Sequence, residues 1–317
     1  MREFTVGKND AGKRLDKLLA RLMPQLPPAM LYKGLRKDCV RVNGRHVRDG
    51  AYKTVCGDVL ALYFKDEFFE KSAAPEHFMS LNPQLSVVYE DENILLCNKP
   101  QGLCVHEDEN GSGANLIDYI KCYLWKKGEY LPEREQSFAP ALCNRIDRNT
   151  SGLVIAAKTA EALRIMNEKI KSREVKKYYL CAVLGRMPKK SDTLTAYLRR
   201  DERKKQVYVT DEPRPGAKTA VTRYRVLAEN GKYSLLEIGL ETGRTHQIRA
   251  QLAHIGHPLV GDGKYGRGDE NKAAGIFRQA LCAYRLRFDF TGDSGVLGYL
   301  RGREFEVEKP PFCDLFK

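Results

Sequence analysis

The chain contains one charged, weakly periodic stretch, residues 66–84, which includes two prolines. Stretches of this composition are typical of linkers, because they offer too little apolar surface to form a core of their own. The stretch divides the 317 residues into a short first part and a long second part. We therefore predict a domain at residues 1–65, a linker at residues 66–84 and a second domain at residues 85–317.

The first 65 residues have the pattern of a small α+β domain. A helix is predicted over Arg14–Leu22, because its leucines recur at i, i+3, i+4 and i+7 and Asp10 is available near its start. A second helix is predicted over Met30–Lys37. Residues 40–47 alternate around Asn43-Gly44, the strongest short-range signal for a β-hairpin. The remaining predicted elements are a turn at Gly57-Asp58 and a strand over Val59–Phe64.

Positive charge is concentrated in this first part. The chain carries 54 Lys and Arg against 41 Asp and Glu, a formal charge of +13, and residues 1–65 hold 14 of the basic residues but only 6 of the acidic ones. A cationic surface attracts polyanions and releases counterions from phosphates, so nucleic acid is the leading candidate partner. Charge alone leaves a second interpretation open, which is a solvated basic face that serves solubility.

Two segments of the first part, Arg14–Lys17 and Val40–Arg45, are followed by Gly57-Asp58. Together they resemble the α-L RNA-binding motif of a ribosomal small-subunit protein. The chain departs from that motif at Ala29-Met30, where Ser-Arg often opens the second helix. The resemblance implies that residues 1–65 form a small α+β RNA-binding domain. The side chains that we expect to contact RNA are Arg14, Lys17, Lys33, Arg36, Lys37 and Arg45.

Predicted strands outnumber predicted helices in the second part, which indicates an α+β fold. Helices are predicted at Ala160–Lys171, with Thr159 as N-cap, and at His246–Ile255. The side chains of the second helix that we expect to face inward are Ile248, Leu252 and Ile255. The predicted strands are Val87–Glu90, Ile94–Asn98, Gly152–Ala157, Tyr178–Val183, Thr222–Ala228 and Tyr233–Gly239.

Asp147 lies between Arg145 and Arg148 in a polar loop that leads directly into an apolar strand. Neighbouring arginines favour the ionised form of a carboxyl group, and a buried strand fixes its position. A carboxylate of this kind is suited to act as a nucleophile or a base. The alternative is a structural ion pair within the loop.

A second polar segment, Thr242–Arg249, places a glycine-containing turn before a helix that begins with several polar side chains. Arg249 lies one helical turn after Thr245, so its guanidinium is expected to reach a shared pocket. We expect it to make there the two-point contact that an ionised carboxylate prefers. The alternative is a patch that docks a phosphate.

No metal or nucleotide cofactor is expected. His246, His254 and His257 have no Asp, Glu or Cys between them, which is a poor pattern for a zinc site. The segment Gly261–Gly266 lacks the Gly-Lys-Ser/Thr ending of a phosphate-binding loop, so its glycines are interpreted as tight-turn residues.

The remaining composition indicates an intracellular protein. The nine cysteines are scattered without a Cys-x-x-Cys pair, and we expect reduced thiols. No apolar run approaches the ~20 residues that cross a bilayer. The first residues lack the apolar core of a signal peptide, so a cytoplasmic location is expected.

Four motifs occur in order along the second part: Asn98–Leu103, Arg145–Leu153, Lys177–Gly185 and Gly243–Arg249, the last followed by Gly256–Leu259 and Gly261-Asp262. In this order and spacing they resemble the motifs of the RluA family of RNA pseudouridine synthases. The resemblance runs from about residue 87 to the end of the chain. It implies a catalytic domain with a mixed, mainly antiparallel sheet. Two positions depart from the family pattern, Asn144 in place of His and Ile146 in place of Leu.

The resemblance implies a role for four side chains. Asp147 matches the catalytic aspartate, Tyr179 the active-site tyrosine and Arg249 the basic partner of the aspartate. Arg145 matches the arginine that fills the space left by the target base. Strand alternation places Tyr178 on the opposite face of the sheet from Tyr179.

The function implied is isomerisation of specific uridines in RNA without a cofactor, by a monomer, with large-subunit ribosomal RNA as the expected substrate and transfer RNA as the alternative. Asp147 either attacks the anomeric carbon of ribose or removes a sugar proton to give a glycal, and the sequence does not choose between these routes. A glycosylase and a non-catalytic RNA-binding protein are the rival classes. A glycosylase often needs a second carboxylate, which the motif around Asp147 lacks.

Overall fold

The structure is a computed structural model that describes residues 1–69, 77–107, 113, 115–132, 138–266 and 268–317. One cluster of buried apolar side chains contains only residues 6–69, and the others contain only residues 78 and above. The predicted linker ends in short 3-10 helices at Asp66–Phe69 and His77–Ser80. Phe69 packs in the first cluster and Phe78 in the main cluster of the second part. The remainder of that linker, residues 70–76, lies outside the described residues.

The first part is a four-stranded antiparallel sheet covered by two helices. Its elements are β1 (Arg2–Thr5), α1 (Leu15–Leu22), α2 (Pro28–Arg36), β2 (Val40–Val42), β3 (Arg45–His46) and β4 (Val59–Leu62). The strands lie in the order β1-β4-β2-β3. Asn43 and Gly44 both have positive φ, as a tight hairpin turn requires, and the predicted hairpin is confirmed. Asp10 does not cap α1: Arg14 occupies that position, and Asp10 is buried and paired with Lys13.

The second part is built on an 11-stranded sheet. Its strands are β5 (Val87–Glu90), β6 (Ile94–Lys99), β7 (Ala141–Leu142), β8 (Ser151–Ala157), β9 (Val175–Leu184), β10 (Ser191–Asp201), β11 (Gln206–Thr210), β12 (Lys218–Glu229), β13 (Tyr233–Leu240), β14 (Leu281–Phe288) and β15 (Glu304–Glu306). They lie in the order β11-β10-β12-β13-β9-β14-β8-β6-β5, with β15 beside β14 and β7 beside β8. Among the described pairs only β14 with β8 is parallel, so the sheet is mixed and mainly antiparallel, as expected.

The parallel pair depends on a glycine. Ala283 of β14 lies opposite Gly152 of β8, and a Cβ atom built on Gly152 would stand 2.2 Å from the Ala283 carbonyl oxygen. Gly152 also has a φ of +112°, which side chains rarely adopt. The glycine that follows the Asp147 loop therefore allows β14 to enter the sheet.

The helices of the second part are α3 (Leu116–Lys126), α4 (Ala160–Lys171), α5 (Gln247–His254) and α6 (Gly268–Ala273). Thr159 caps α4 through a hydrogen bond from the Ala162 amide, as predicted. Ile248 and Leu252 of α5 are buried, but Ile255 is exposed, because the helix ends before it. The prediction that Ile255 faces inward is therefore wrong.

Two hydrogen bonds join the first part to α4. The Asn9 side-chain oxygen accepts from the Ala160 amide at 3.1 Å, and Arg164 donates to the Ala11 carbonyl at 2.6 Å. The first part therefore rests on the N-terminal half of α4. None of the helices in the described part of the chain has the length and apolar character needed to cross a membrane.

Candidate active site

Asp147 lies in the loop between β7 and β8, and its position is set by backbone contacts. The Thr150 amide donates to the Asp147 carbonyl at 3.0 Å and closes a turn. The Asn144 side chain accepts from the Ile155 amide at 2.8 Å, which ties the start of the loop to β8. Asn144, one of the two departures from the family pattern, thus has a structural role.

Lys99 holds the other side of this loop. Its side chain is fully buried, and its ammonium donates to the carbonyls of Pro100, Leu103 and Arg148 at 2.8–2.9 Å. Burial lowers the pKa of Lys99 to about 8, so the ammonium persists at neutral pH and satisfies three carbonyls at once. This lysine connects β6 to the residue that follows Asp147.

Arg249 lies between two carboxylates. Its Nη1 donates to Asp147 Oδ2 at 2.9 Å, while Nε and Nη2 donate to the two oxygens of Asp262 at 2.7 and 2.9 Å. The expected two-point contact therefore exists but is made to Asp262, and Asp147 receives a single bond. Burial opposes ionisation of Asp262, but the guanidinium outweighs it and holds the pKa of Asp262 below its usual value.

Asp262 is fully buried and also accepts from the amides of Lys264 and Tyr265. It therefore fixes the guanidinium of Arg249 from behind, so that one N–H remains directed at Asp147. The Asp147 side chain keeps 29% exposure, which leaves it accessible to a substrate.

His246 lies on the same side of the site. Its Nε2 is 3.8 Å from Asp147 Oδ2 and its Nδ1 is 2.9 Å from the Tyr265 hydroxyl. That hydroxyl also accepts from the Val207 amide, which ties His246 to β11 through Tyr265. Burial lowers the pKa of His246 below its usual value, against the pull of Asp147. His246 also has a φ of +53°, an uncommon conformation that is concentrated at functional sites.

Tyr179 completes the base of the site from β9. Its side chain is buried, and burial together with the charge of Asp147 raises the pKa of its hydroxyl above the usual value. Tyr178 lies on the opposite face, where its ring packs against the Arg285 guanidinium at 4.3 Å. The structure thus places the two tyrosines as strand alternation predicts.

Several of these groups line one cavity of about 410 Å³, within the range of small-molecule sites. Asp147, Tyr179, Arg249 and the exposed Arg145 all contribute to it. The four residues singled out in the second part of the sequence are therefore brought together.

The six basic residues singled out in the first part are all exposed and lie on or beside α1, α2 and β3. Arg14 forms an ion pair with Asp16 at 2.8 Å, and the Tyr32 hydroxyl donates to the same carboxylate. The structure brings none of the six into the Asp147 cavity.

Sequence reasoning missed four residues of the site, namely Lys99, His246, Asp262 and Tyr265. Asp262 and Tyr265 lie in the glycine-rich segment interpreted only as a turn, and a lone acid between two glycines after Arg249 was the available signal. The three histidines considered for a metal contact three different groups: His246 contacts Tyr265, His254 contacts Asp211 and His257 contacts the Leu184 carbonyl. Within the described ranges, no group of three or more metal-ligating side chains occurs.

Comparison with known proteins gives the class of the molecule. Residues 93–254 match the RNA pseudouridylate synthase family. The chain is 32% identical over 295 residues to ribosomal large subunit pseudouridine synthase D of Yersinia pestis, which covers 89% of this chain and 85% of that protein. It is also 32% identical over 292 residues to synthase C of Vibrio cholerae, over 89% of this chain and 87% of that one.

A solved structure has the same fold. Human RNA pseudouridylate synthase domain containing 1 superposes with a TM-score of 0.57 at 23% identity, over 74% of this chain and 89% of that one. The chain belongs to the RNA pseudouridylate synthase family and is an isomerase that converts uridine to pseudouridine in RNA. The resemblance to the RluA family noted from the motifs is thereby confirmed.

Proposed function

We propose that this enzyme isomerises specific uridines of large-subunit ribosomal RNA, with Asp147 as the catalytic carboxylate. The observation that supports the assignment of Asp147 is its single hydrogen bond from Arg249 inside a cavity that also contains Tyr179. The substrate is proposed because several relatives are named ribosomal large subunit pseudouridine synthases.

The target uridine must leave the RNA stack before Asp147 can reach its ribose, at a cost of a few kcal/mol. Contacts to the flanking RNA offset that cost. Arg145, exposed at the cavity, is proposed to fill the space that the base leaves.

Asp147 then acts on the ribose, either by attack on the anomeric carbon or by removal of a sugar proton to give a glycal. Both routes need an ionised carboxylate, and Arg249 stabilises that form of Asp147 by a charge-assisted hydrogen bond. The detached uracil turns within the cavity and rejoins the sugar through carbon, and the enclosing walls keep water from the intermediate.

Tyr179 is proposed to stack on the uracil. Because its pKa is raised, its hydroxyl stays protonated at neutral pH and is able to donate a hydrogen bond to the base. His246, whose Nε2 lies 3.8 Å from the Asp147 carboxylate, is proposed to support the same carboxylate from a second side.

Residues 1–65 are proposed to bind RNA outside the cavity. The proposal rests on the surplus of basic side chains there and on the exposure of all six singled out in the sequence. We further propose that the enzyme works as a monomer in the cytoplasm.

The test is pseudouridine mapping by carbodiimide labelling. The purified protein is incubated, without added metal or nucleotide, with unmodified large-subunit ribosomal RNA and, separately, with unmodified transfer RNA. Asp147→Asn is measured in parallel, with Asp314→Asn as a control, because Asp314 is an exposed carboxylate outside the cavity.

We expect new pseudouridine in the ribosomal RNA with the unaltered protein and the control, and none with Asp147→Asn. Pseudouridine only in transfer RNA would replace the proposed substrate by the alternative. Full activity of Asp147→Asn would remove Asp147 from the mechanism.

A further inference from the structure

One wall of the Asp147 cavity is basic and has no assigned role. It consists of the end of α4, the turn that follows and the start of β9, and its cations are Arg173 in the turn and Lys177 in β9. The segment from Leu240 to Arg249 also lines this cavity.

These two cations are not neutralised by the protein. Among the described residues, neither side chain forms a hydrogen bond or an ion pair, whereas Arg249 in the same cavity is held by Asp147 and Asp262. The nearest acid in the sequence, Glu174, is used by Lys169, Ser172 and the Thr291 amide. The basic wall therefore presents an uncompensated positive charge to the cavity.

The conformation of Arg173 is a second, independent observation. Its amide donates to the Ile170 carbonyl and the Glu174 amide donates to the Lys169 carbonyl, which is the Schellman arrangement at the end of a helix. The residue in this position takes a left-handed conformation and is usually glycine, yet here it is an arginine with a φ of +64°. A strained arginine at a position suited to glycine indicates that its side chain has a function.

Lys177 places a cation deeper in the cavity. It precedes Tyr179 by two residues in β9, so both side chains lie on the same face of the sheet. Burial lowers the pKa of Lys177, and an unpaired ammonium in such a place gains from an anion. The wall thus has an exposed guanidinium at its edge and a half-buried ammonium near the tyrosine.

We propose that Arg173 and Lys177 form a subsite for a backbone phosphate next to the target uridine. The proposal rests on the proposed function, because it takes the Asp147 cavity as the place where the uridine enters. These side chains only donate hydrogen bonds, and phosphate is the anion that RNA offers. A phosphate held here would anchor the flipped nucleotide in the cavity.

The test uses Arg173→Gly, because glycine relieves the strained conformation while it removes the guanidinium. Lys177→Met is the second variant, and Lys171→Met is the matched control, since Lys171 ends the same helix but does not line the cavity. Filter binding and single-turnover conversion of unmodified large-subunit ribosomal RNA are measured at several salt concentrations, together with thermal melting.

We expect Arg173→Gly to keep or raise the melting temperature. We also expect the half-saturating RNA concentration of Arg173→Gly and of Lys177→Met to rise about tenfold, with most of the loss in binding and less in the saturating rate. The slope of log affinity against log salt should fall by about one for each variant.

Affinity and salt slope equal to those of Lys171→Met in both variants would overturn the subsite. A loss confined to the saturating rate would also overturn it, because that result assigns these side chains to chemistry. The result of this binding test can be distinguished from the result of the test of the proposed function. If the unaltered protein forms no pseudouridine in this RNA, the substrate proposal fails, while filter binding still decides whether the wall contacts phosphate.

Discussion

At the scale of single residues, the site depends on how Arg249 is divided between two acids. Asp262 takes two of its N–H groups and has no exposure, whereas Asp147 takes one and stays accessible. Asp262 therefore acts as a positioning residue, since its effect on the substrate passes through Arg249. The position of Arg249 beside the Asp147 carboxylate therefore depends on a buried carboxylate that does not itself line the cavity.

Replacement of Asp262 by Asn should slow the single-turnover reaction on the order of 100-fold, because small errors in the position of reacting groups have effects of that size. RNA affinity should change far less. Asp211→Asn is the matched control, because Asp211 binds His254 at the other end of α5 and is exposed. If the Asp262→Asn enzyme has the same rate as this control, Arg249 does not need Asp262 to hold its position beside Asp147.

At the scale of elements, an ion-pair network joins the first hairpin of the sheet to α3. Glu90 of β5 accepts from Lys127 and Lys158 at 2.9 Å and from the Tyr123 hydroxyl at 2.8 Å. Burial opposes the ionisation of Glu90, but these three donors lower its pKa to about 2 from an ordinary value of 4.5. The ionised form is therefore favoured by folding.

The sign of the resulting pH dependence follows from linkage. Since the pKa of Glu90 is lower in the folded state, its contribution is complete above about pH 4.5 and is lost as the pH falls towards 2. Glu90→Gln should reduce the free energy of unfolding by about 1–3 kcal/mol at pH 7. The difference from the unaltered protein should shrink across that acid window. Urea unfolding at a series of pH values measures this difference in the free energy of unfolding, and Glu202→Gln, at an exposed position, is the control. A difference that stays constant with pH would contradict the lowered pKa of Glu90.

The pairing of β8 with β14 is a second property of elements. Gly152→Ala should reduce the free energy of unfolding by about 3 kcal/mol, because the methyl group meets the Ala283 carbonyl in a backbone conformation that alanine avoids. Gly298→Ala is the control, since a Cβ atom there would have nothing within 4 Å and its φ is ordinary. If denaturant unfolding gives equal free energies of unfolding for the two variants, β14 does not pack against Gly152 as closely as the structure shows.

At the scale of the whole molecule, α4 connects the two places where RNA is proposed to bind. The first part of the chain is hydrogen-bonded to its beginning, and its end lines the cavity. A helix of 12 residues is about 18 Å long, so the point where the first part contacts the beginning of α4 is roughly that far from the end that lines the cavity.

The double variant Lys33→Ala/Lys37→Ala tests the first of these surfaces. We expect about tenfold weaker RNA binding at moderate salt. The slope of log affinity against log salt should become smaller by up to about two, because each phosphate that is no longer contacted keeps its bound counterion. Lys309→Ala/Lys317→Ala removes the same charge from exposed positions far along the chain. Equal salt slopes for the two double variants would show that α2 does not contact the RNA.

Local patterns in the sequence predicted the elements that depend on neighbours in the chain. The Asn43-Gly44 hairpin, the Thr159 cap and the placement of Tyr178 and Tyr179 on opposite faces follow from backbone geometry alone. The pairing of Arg249 with Asp262 and the insertion of β14 could not be predicted, because each depends on contacts that only the folded sheet creates. The strands β10 and β11, which end the sheet on one side, were missed because their apolar residues alternate over only a few positions on either side of the charged run at residues 199–205.

The place of β14 in the sheet has a consequence for how the enzyme is made. Asp147 precedes β8, Tyr179 belongs to β9, and β14 is the strand that lies between β8 and β9. A ribosome synthesises the chain from its N-terminus, so both catalytic segments leave the exit tunnel more than a hundred residues before the strand that unites them. During that interval the basic residues 1–65 are already synthesised. The two segments of the proposed active site are thus made early and joined late, so we expect an unfinished chain to lack activity until β14 enters the sheet.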